Sequence, residues 1–201
     1  IYIENKERGK NLMKIIVVVD MQNDFVTGCL GSSEAQAIVP VMVERLKEYD
    51  SSENLVFFTK DTHYDNYMDT QEGKNLPVPH CIEGTPGWSI VKDISSYVDY
   101  GSRFCTYSAA DVIKSRVLKN TFGSTQLAEI IEDIVADGSE DTYTVDEVIF
   151  MGVCTDICVI SNVMLIKAHC PELLVTVDAS CCAGVTPESH KNALAAMKMC
   201  Q

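Results

Sequence analysis

Short apolar runs that alternate with helical patterns along this chain predict an α/β domain, doubly wound, whose central parallel sheet of five or six strands is flanked by helices. Two further observations support that class. The 201 residues suit one domain able to bury a sizeable core, and no internal repeat, low-complexity tract or interdomain linker divides them. Polar residues of several chemical types also follow the ends of the apolar runs, where ligands bind in such sheets.

The elements follow in order. Residues 15–20 read as a first buried strand, closed by Asp20. Residues 33–49 read as a helix with Ser33 as N-cap and Ile38, Val41, Met42, Arg45 and Leu46 along one face. Residues 55–59 form a second strand, followed as far as residue 95 by a segment rich in Gly, Pro, Asn and Thr. Segments of that length without regular structure are usually functional in compact domains. Residues 112–118 are a third strand leading into a helix over 124–136, and 148–153 a fourth leading into a helix over 156–168. A fifth strand spans 173–177. Thr186-Pro187-Glu188 then opens the last helix, with Thr as cap, Pro in the first turn and an acid near the positive end. Residues 1–12 are a polar leader, disordered or left from expression, and residues 13–201 are the domain.

Composition excludes several partners. A net charge of -13 repels nucleic acid and anionic membrane surfaces at long range. No stretch approaches the roughly 20 apolar residues that span a bilayer, and the apolar run at residues 15–19 lacks the small-residue cleavage site of a secretory signal. Nine cysteines cannot all pair within one chain, and none forms one CxxC with a second. That argues against a disulfide framework or zinc ribbon and for a reducing cytoplasm. The adjacent Cys181 and Cys182 read as small buried residues in preference to a redox sensor.

Four strand ends converge on one crevice. Asp20 ends the first strand, Asp61 and His63 follow the second, Lys119 the third, and Cys154 to Cys158 the fourth. A cysteine in the first helical turn has its thiolate stabilised by free backbone N–H groups and the helix dipole, with Thr155 or Asp156 suited to cap that helix. A Lys119 ammonium nearby lowers the thiol pKa further, and Asp20 can take the proton. On spacing alone, a buried helix cysteine, a strand-end cap and a solvated lysine explain the same residues equally well.

The motifs tip that balance. Val18-Val19-Asp20-Met21-Gln22-Asn23-Asp24-Phe25 resembles the opening motif of the isochorismatase-like cysteine hydrolases, Lys119-Asn120-Thr121-Phe122-Gly123-Ser124 their lysine motif, and Gly152-Val153-Cys154-Thr155-Asp156-Ile157-Cys158-Val159 their GVxTDxCV nucleophile motif. The resemblance runs in order from Met13 to the C-terminus, with Asp178-Ala179 and His190 also in place. It implies the isochorismatase-like hydrolase fold and catalysis by Asp20, Lys119 and Cys158. In that scheme Cys158 attacks an amide carbonyl to form a thioester, backbone N–H groups of Cys154 and Cys158 form the oxyanion hole, and a cis peptide precedes residue 154.

Asp61-Thr62-His63 and the run from His80 to Gly87 are similar to the DxH and HCxxGTxG motifs of nicotinamidases within this superfamily. The resemblance implies a divalent metal, zinc first with manganese or iron as alternatives, on Asp61, His63 and His80, with Glu72 as a further ligand. It also implies Phe25 as a wall of the substrate ring. Leu76-Pro77-Val78-Pro79 stands where many nicotinamidases carry an aromatic residue, so the pocket differs in shape. His169 reads as a cap on helix-end carbonyls and His190 as structural. By analogy with relatives the chain is expected to form a homo-oligomer and to take a small-molecule amide, with no nucleic acid or membrane as partner. The reading is a nicotinamidase. Its alternatives are a cysteine amidohydrolase acting on a carbamoyl or ureido compound and, from another class, a non-catalytic metal or redox sensor.

Overall fold

In the computed structural model, which describes residues 11–49, 54–98, 112–113, 116–138 and 143–200, strand and helix alternate from the first described residue onward. Most of the leader, residues 1–10, lies outside the described residues. Strand β1 (Asn11–Val19) begins earlier than its apolar run, because Asn11 and Leu12 pair with Tyr143 and Thr144. Ile15 to Val19 have no exposed surface, as expected of a central strand covered on both faces.

A short helix α1 (Asn23–Val26) precedes the long helix α2 (Ser33–Tyr49). The cap of α2 is one residue earlier than expected: Ser32 Oγ accepts from the Ala35 N–H at 3.0 Å. Ile38, Met42 and Leu46 form its buried stripe, whereas Val41 is 42% exposed and Arg45 pairs with Glu48 and Asp178 at the margin. Strand β2 (Leu55–Asp61) extends the predicted second strand by two residues. The segment after it carries local structure that its composition concealed, namely a 3-10 turn at Tyr67–Asp69, α3 (Gln71–Asn75) and α4 (Lys92–Ser95).

The third predicted strand is in fact two. β3 (Val112–Ile113) runs antiparallel to β4 (Arg116–Lys119), with Val112 opposite Val117 and Ile113 opposite Arg116. Helix α5 (Thr125–Gly138), strand β5 (Tyr143–Val153), a π-helical turn at Thr155–Val159, helix α6 (Ile160–His169), strand β6 (Leu174–Ala183) and helix α7 (Pro187–Met199) complete the chain. The start of α7 is as predicted, with Pro187 in the first turn and a capping box between Thr186 and Ser189.

The sheet order is β3-β4-β2-β1-β5-β6, with every pair parallel except β3–β4. Ile16, Val18, Met42, Leu46 and Ile94 pack on one face of the sheet; Ile15, Val17, Leu127, Ile131, Val163 and Ile166 pack on the other. Burying each such side chain stabilises the fold by about 1.5–3 kcal/mol. The chain works outward from β1 to β4, then returns to β5 beside β1, so the order reverses at the centre and opens a crevice beyond the carboxyl ends. Gly152 fits that point for a steric reason: its φ is 126°, and an added Cβ would collide with the Val19 carbonyl. Among the described residues no helix is long and apolar enough to cross a membrane.

Candidate active site

Three strand ends deliver the first cluster. Asp20 follows β1 with φ 50°, and its side chain is fully buried. Its Oδ1 accepts from the Thr59 hydroxyl at 2.7 Å, and its Oδ2 lies 2.6 Å from Lys119 Nζ. The same ammonium, at the end of β4, sits 3.7 Å from Cys158 Sγ and 3.7 Å from Asp61 Oδ1. Asp20, Lys119 and Cys158 thus meet in one buried group.

The electrostatics differ from the expectation of a lowered thiol pKa. Burial raises the Cys158 thiol well above its ordinary value, the Asp20 charge raises it further, and Lys119 offsets only part of this. Burial likewise raises Asp20 in spite of Lys119. Burial opposes the charge on Lys119, but Asp20, Cys158 and Asp61 together hold it firmly protonated. The free site therefore favours a neutral thiol beside the Lys119 ammonium.

Cys158 stands in the π-helical turn rather than in an α-helical first turn, and the Val153–Cys154 peptide before that turn is cis, as the resemblance implies. Neither Thr155 nor Asp156 caps it. Thr155 Oγ1 pairs with His190 Nδ1 at 2.8 Å, and Asp156 Oδ1 accepts from the Val185 N–H at 3.0 Å, which tie the turn to α7 and to the β6–α7 connection. Asn162, buried within α6, secures it from the other side. Its amide donates to the Cys158 carbonyl at 2.8 Å, and its oxygen accepts from the Ser124 N–H at 3.0 Å. Asn162 was not singled out from sequence, although an amide within the apolar run of that helix was a signal. His169 is not a carbonyl cap either; its Nδ1 meets Glu132 at 2.6 Å across to α5.

The second cluster lies beyond β2. One ligand-type atom from each of Asp61, His63, Glu72 and His80 falls within 4.8 Å of all the others. Asp61 Oδ2 is 2.9 Å from His63 Nε2 and 3.4 Å from His80 Nε2, while Glu72 Oε1 is 3.8 and 3.6 Å from the same two nitrogens. The imidazoles are set by their surroundings. His80 Nδ1 donates to the Val78 carbonyl at 2.8 Å, which leaves its Nε2 to face the cluster. His63 Nε2 is buried and, despite its proximity to Asp61, makes no hydrogen bond of acceptable geometry. A buried imidazole nitrogen without a hydrogen bond, aimed with a second imidazole at two carboxylates, fits a divalent ion better than it fits a hydrogen-bond network.

Burial opposes the charge on Asp61, but His63, His80 and Lys119 hold its carboxyl below the ordinary range. Tyr67 was missed in the sequence. It is buried, its ring packs edge-on against His63 at 4.8 Å and His80 at 5.1 Å, and its hydroxyl donates to the Leu76 carbonyl at 2.9 Å. An aromatic wall for the imidazoles thus comes from the 3-10 turn, while Leu76 itself is 38% exposed at the cavity.

A single cavity of about 1170 Å³ joins the two clusters, lined by Cys158 and Cys154 on one side and His63, Glu72 and His80 on the other. Phe25 lines it as well, its ring 5.4 Å from that of His80. Among the described residues no disulfide forms; Cys181 and Cys182 are buried and free, as the sequence suggested.

Comparison with known proteins adds an independent line. The family model for the Isochorismatase domain matches residues 14–201. A nicotinamidase of Schizosaccharomyces pombe is 27% identical over 211 residues, covering 89% of this chain and 86% of that protein. A nicotinamidase/pyrazinamidase of Mycobacterium tuberculosis is 33% identical over 79 residues, which span 37% of this chain and 42% of that protein. Among solved structures, the nicotinamidase/pyrazinamidase PncA of Bacillus subtilis superposes with a TM-score of 0.73 at 21% identity, covering 92% of this chain and 94% of that one. A pyrazinamidase of Pyrococcus horikoshii in complex with zinc gives 0.67 at 24% identity, covering 93% and 95%. At such identities the structural likeness establishes the fold.

Proposed function

The chain belongs to the isochorismatase family, and from that premise we propose that it is a metal-dependent cysteine amidohydrolase converting nicotinamide to nicotinate and ammonia through a thioester on Cys158. The observation that carries the reading is the single cavity that places a buried thiol, with its carboxylate and ammonium, beside four convergent metal-type ligands. The fold by itself would serve many hydrolases. The S. pombe nicotinamidase supports the substrate, and the P. horikoshii protein, solved with zinc, supports the ion.

In this mechanism Cys158 gives its proton to Asp20 as sulfur bonds to the carboxamide carbon, and the carbonyl electron pair moves to oxygen. Backbone N–H groups of Cys154 and Cys158 receive that oxyanion. The proton on Asp20 passes to the amide nitrogen, the C–N bond breaks, and ammonia leaves a thioester. Asp20 then deprotonates a water that attacks the same carbon, and the departing sulfur takes the proton back. Lys119 stays cationic throughout and holds Asp20 and the sulfur in place. Phe25 walls the ring. A divalent ion on Asp61, His63, His80 and Glu72, zinc before manganese or iron for this donor set, supplies a Lewis acid for the pyridine nitrogen.

Ammonia release from a panel of nicotinamide, pyrazinamide, benzamide and an N-carbamoyl amino acid tests the reading. Nicotinamide and pyrazinamide are expected to be turned over, with benzamide far slower. Preference for the N-carbamoyl compound would transfer the site to the carbamoyl-hydrolysing alternative, and no ammonia from any amide would overturn the enzyme assignment.

A further inference from the structure

Gln22 lies in the same loop as Asp20 and is fully buried, and its side chain makes three hydrogen bonds, all to backbone groups. Its Oε1 accepts from the Asp61 N–H at 2.7 Å, and its Nε2 donates to the Asp61 carbonyl at 2.8 Å and the Trp88 carbonyl at 2.9 Å. The orientation of the amide is fixed by that pattern, since reversing it would set an NH₂ against an N–H and an oxygen against two carbonyls.

The need for such a clasp follows from the path of the chain. β1 and β2 pair through Val18 and Phe58, after which Asp20 turns into the left-handed region and carries the β1 backbone away. Asp61 therefore has no β1 backbone opposite it, and the Gln22 carboxamide replaces the missing peptide by bonding both its N–H and its C=O. Asp24, two residues on, does the same for the other end of the cluster. Its Oδ2 accepts at 2.8 Å from the N–H of Cys81, which follows His80 and has φ 47°.

We propose that Gln22 is a positioning residue for the metal subsite, fixing Asp61 relative to Asp20 so that a substrate held by the ion presents its carbonyl to Cys158. The inference rests on the metal-dependent reading above. Gln22 touches neither the ligand atoms nor the thiol; it acts through the Asp61 backbone.

Gln22→Met keeps the length and removes every hydrogen bond, and Gln22→Glu keeps the acceptor for the Asp61 N–H while placing a carboxylate against two carbonyls. Each is compared with wild type by Co²⁺ titration, following the ligand-field absorption of the bound ion, and by the ratio of kcat/KM for nicotinamide over benzamide in metal-loaded enzyme. Loss of partners behind a metal ligand typically weakens affinity about 10–100-fold. A Co²⁺ dissociation constant raised by that factor, together with a fall in the substrate ratio, is the expected result. Wild-type affinity and ratio in either folded variant would overturn the proposal, as would losses for both substrates in parallel at constant ratio, which mark a merely structural residue. If Gln22→Met does not fold, Gln22→Glu carries the same test. Wild-type protein that takes up no Co²⁺ overturns the metal reading and this proposal with it, whereas failure confined to the variants leaves that reading standing.

Discussion

Two clusters meet at one cavity, all their members buried except the partly exposed Glu72, yet they are held in different ways. Asp20 and Lys119 stand at or just beyond the ends of β1 and β4, whose backbone ladders fix them, and Cys158 stands in the turn after β5, which Thr155, Asp156 and Asn162 secure. Asp61, His63, Glu72 and His80 depend on the end of one strand and a long loop, secured by side-chain bonds such as those of Gln22, Asp24 and Thr70. In the mechanism proposed, groups that exchange protons rest on the sheet, and groups that orient a substrate rest on a loop. Damage to the first cluster should therefore remove chemistry, and damage to the second should change selectivity and ion affinity while sparing the fold.

The largest expected effect is at the sulfur. Cys158→Ala should lower turnover by roughly three orders of magnitude or more, since it removes the sulfur that lies 3.7 Å from Lys119 Nζ. Circular dichroism and thermal melts should stay close to wild type, and Cys154→Ala, which keeps its backbone N–H, should retain most activity. Turnover in a folded Cys158→Ala protein would refute the nucleophile.

Asp20→Asn and Lys119→Ala come next, each expected to cost at least about a hundredfold in kcat, with the double variant far from additive because the groups act as a unit. Lys119→Ala should also destabilise the fold by about 3–5 kcal/mol, because it leaves the Asp20 carboxylate buried without its partner. Denaturant unfolding checks that half. Near-normal rates in both single variants would break the comparison on its sheet side.

The smallest effect belongs to the loop. Thr70 Oγ1 accepts from the Gly73 N–H at 3.0 Å and caps α3, the helix that carries Glu72. Thr70→Ala should cost about 0.5–2 kcal/mol of local stability, weaken Co²⁺ binding modestly and leave global unfolding little changed. A loss of global cooperativity would mean that the loop belongs to the same folding unit as the sheet.

These differences in scaffolding also set what could be read from sequence. Strand ends are announced by apolar runs that stop at a polar residue, so the convergence of Asp20, Lys119 and the segment of Cys158 on one crevice was legible with the fold, while their joint role was reached only through the resemblance of their motifs. The proposed metal ligands carried no periodicity and were reached through the resemblance of their motifs. Gln22 with Asp61 and Asp24 with Cys81 join residues 39 and 57 positions apart through side chain and backbone, and no local pattern encodes such bonds. The same reason hid Asn162 and Tyr67, whose partners come from other elements. The expected fall in the thiol pKa failed because spacing reveals a neighbouring lysine but not the extent of burial, and burial outweighs the lysine here.

The measurement closest to the central claim is the selectivity of wild-type enzyme for nicotinamide over benzamide, taken metal-loaded and again after chelation. The two amides match in shape and differ in the ring nitrogen. With the ion on Asp61, His63, His80 and Glu72, nicotinamide should be favoured by about a hundredfold in kcat/KM, roughly 3 kcal/mol. Chelation should bring the two rates together without unfolding the protein. Equal turnover of both amides by metal-loaded enzyme, or a preference that survives removal of the ion, would contradict the account.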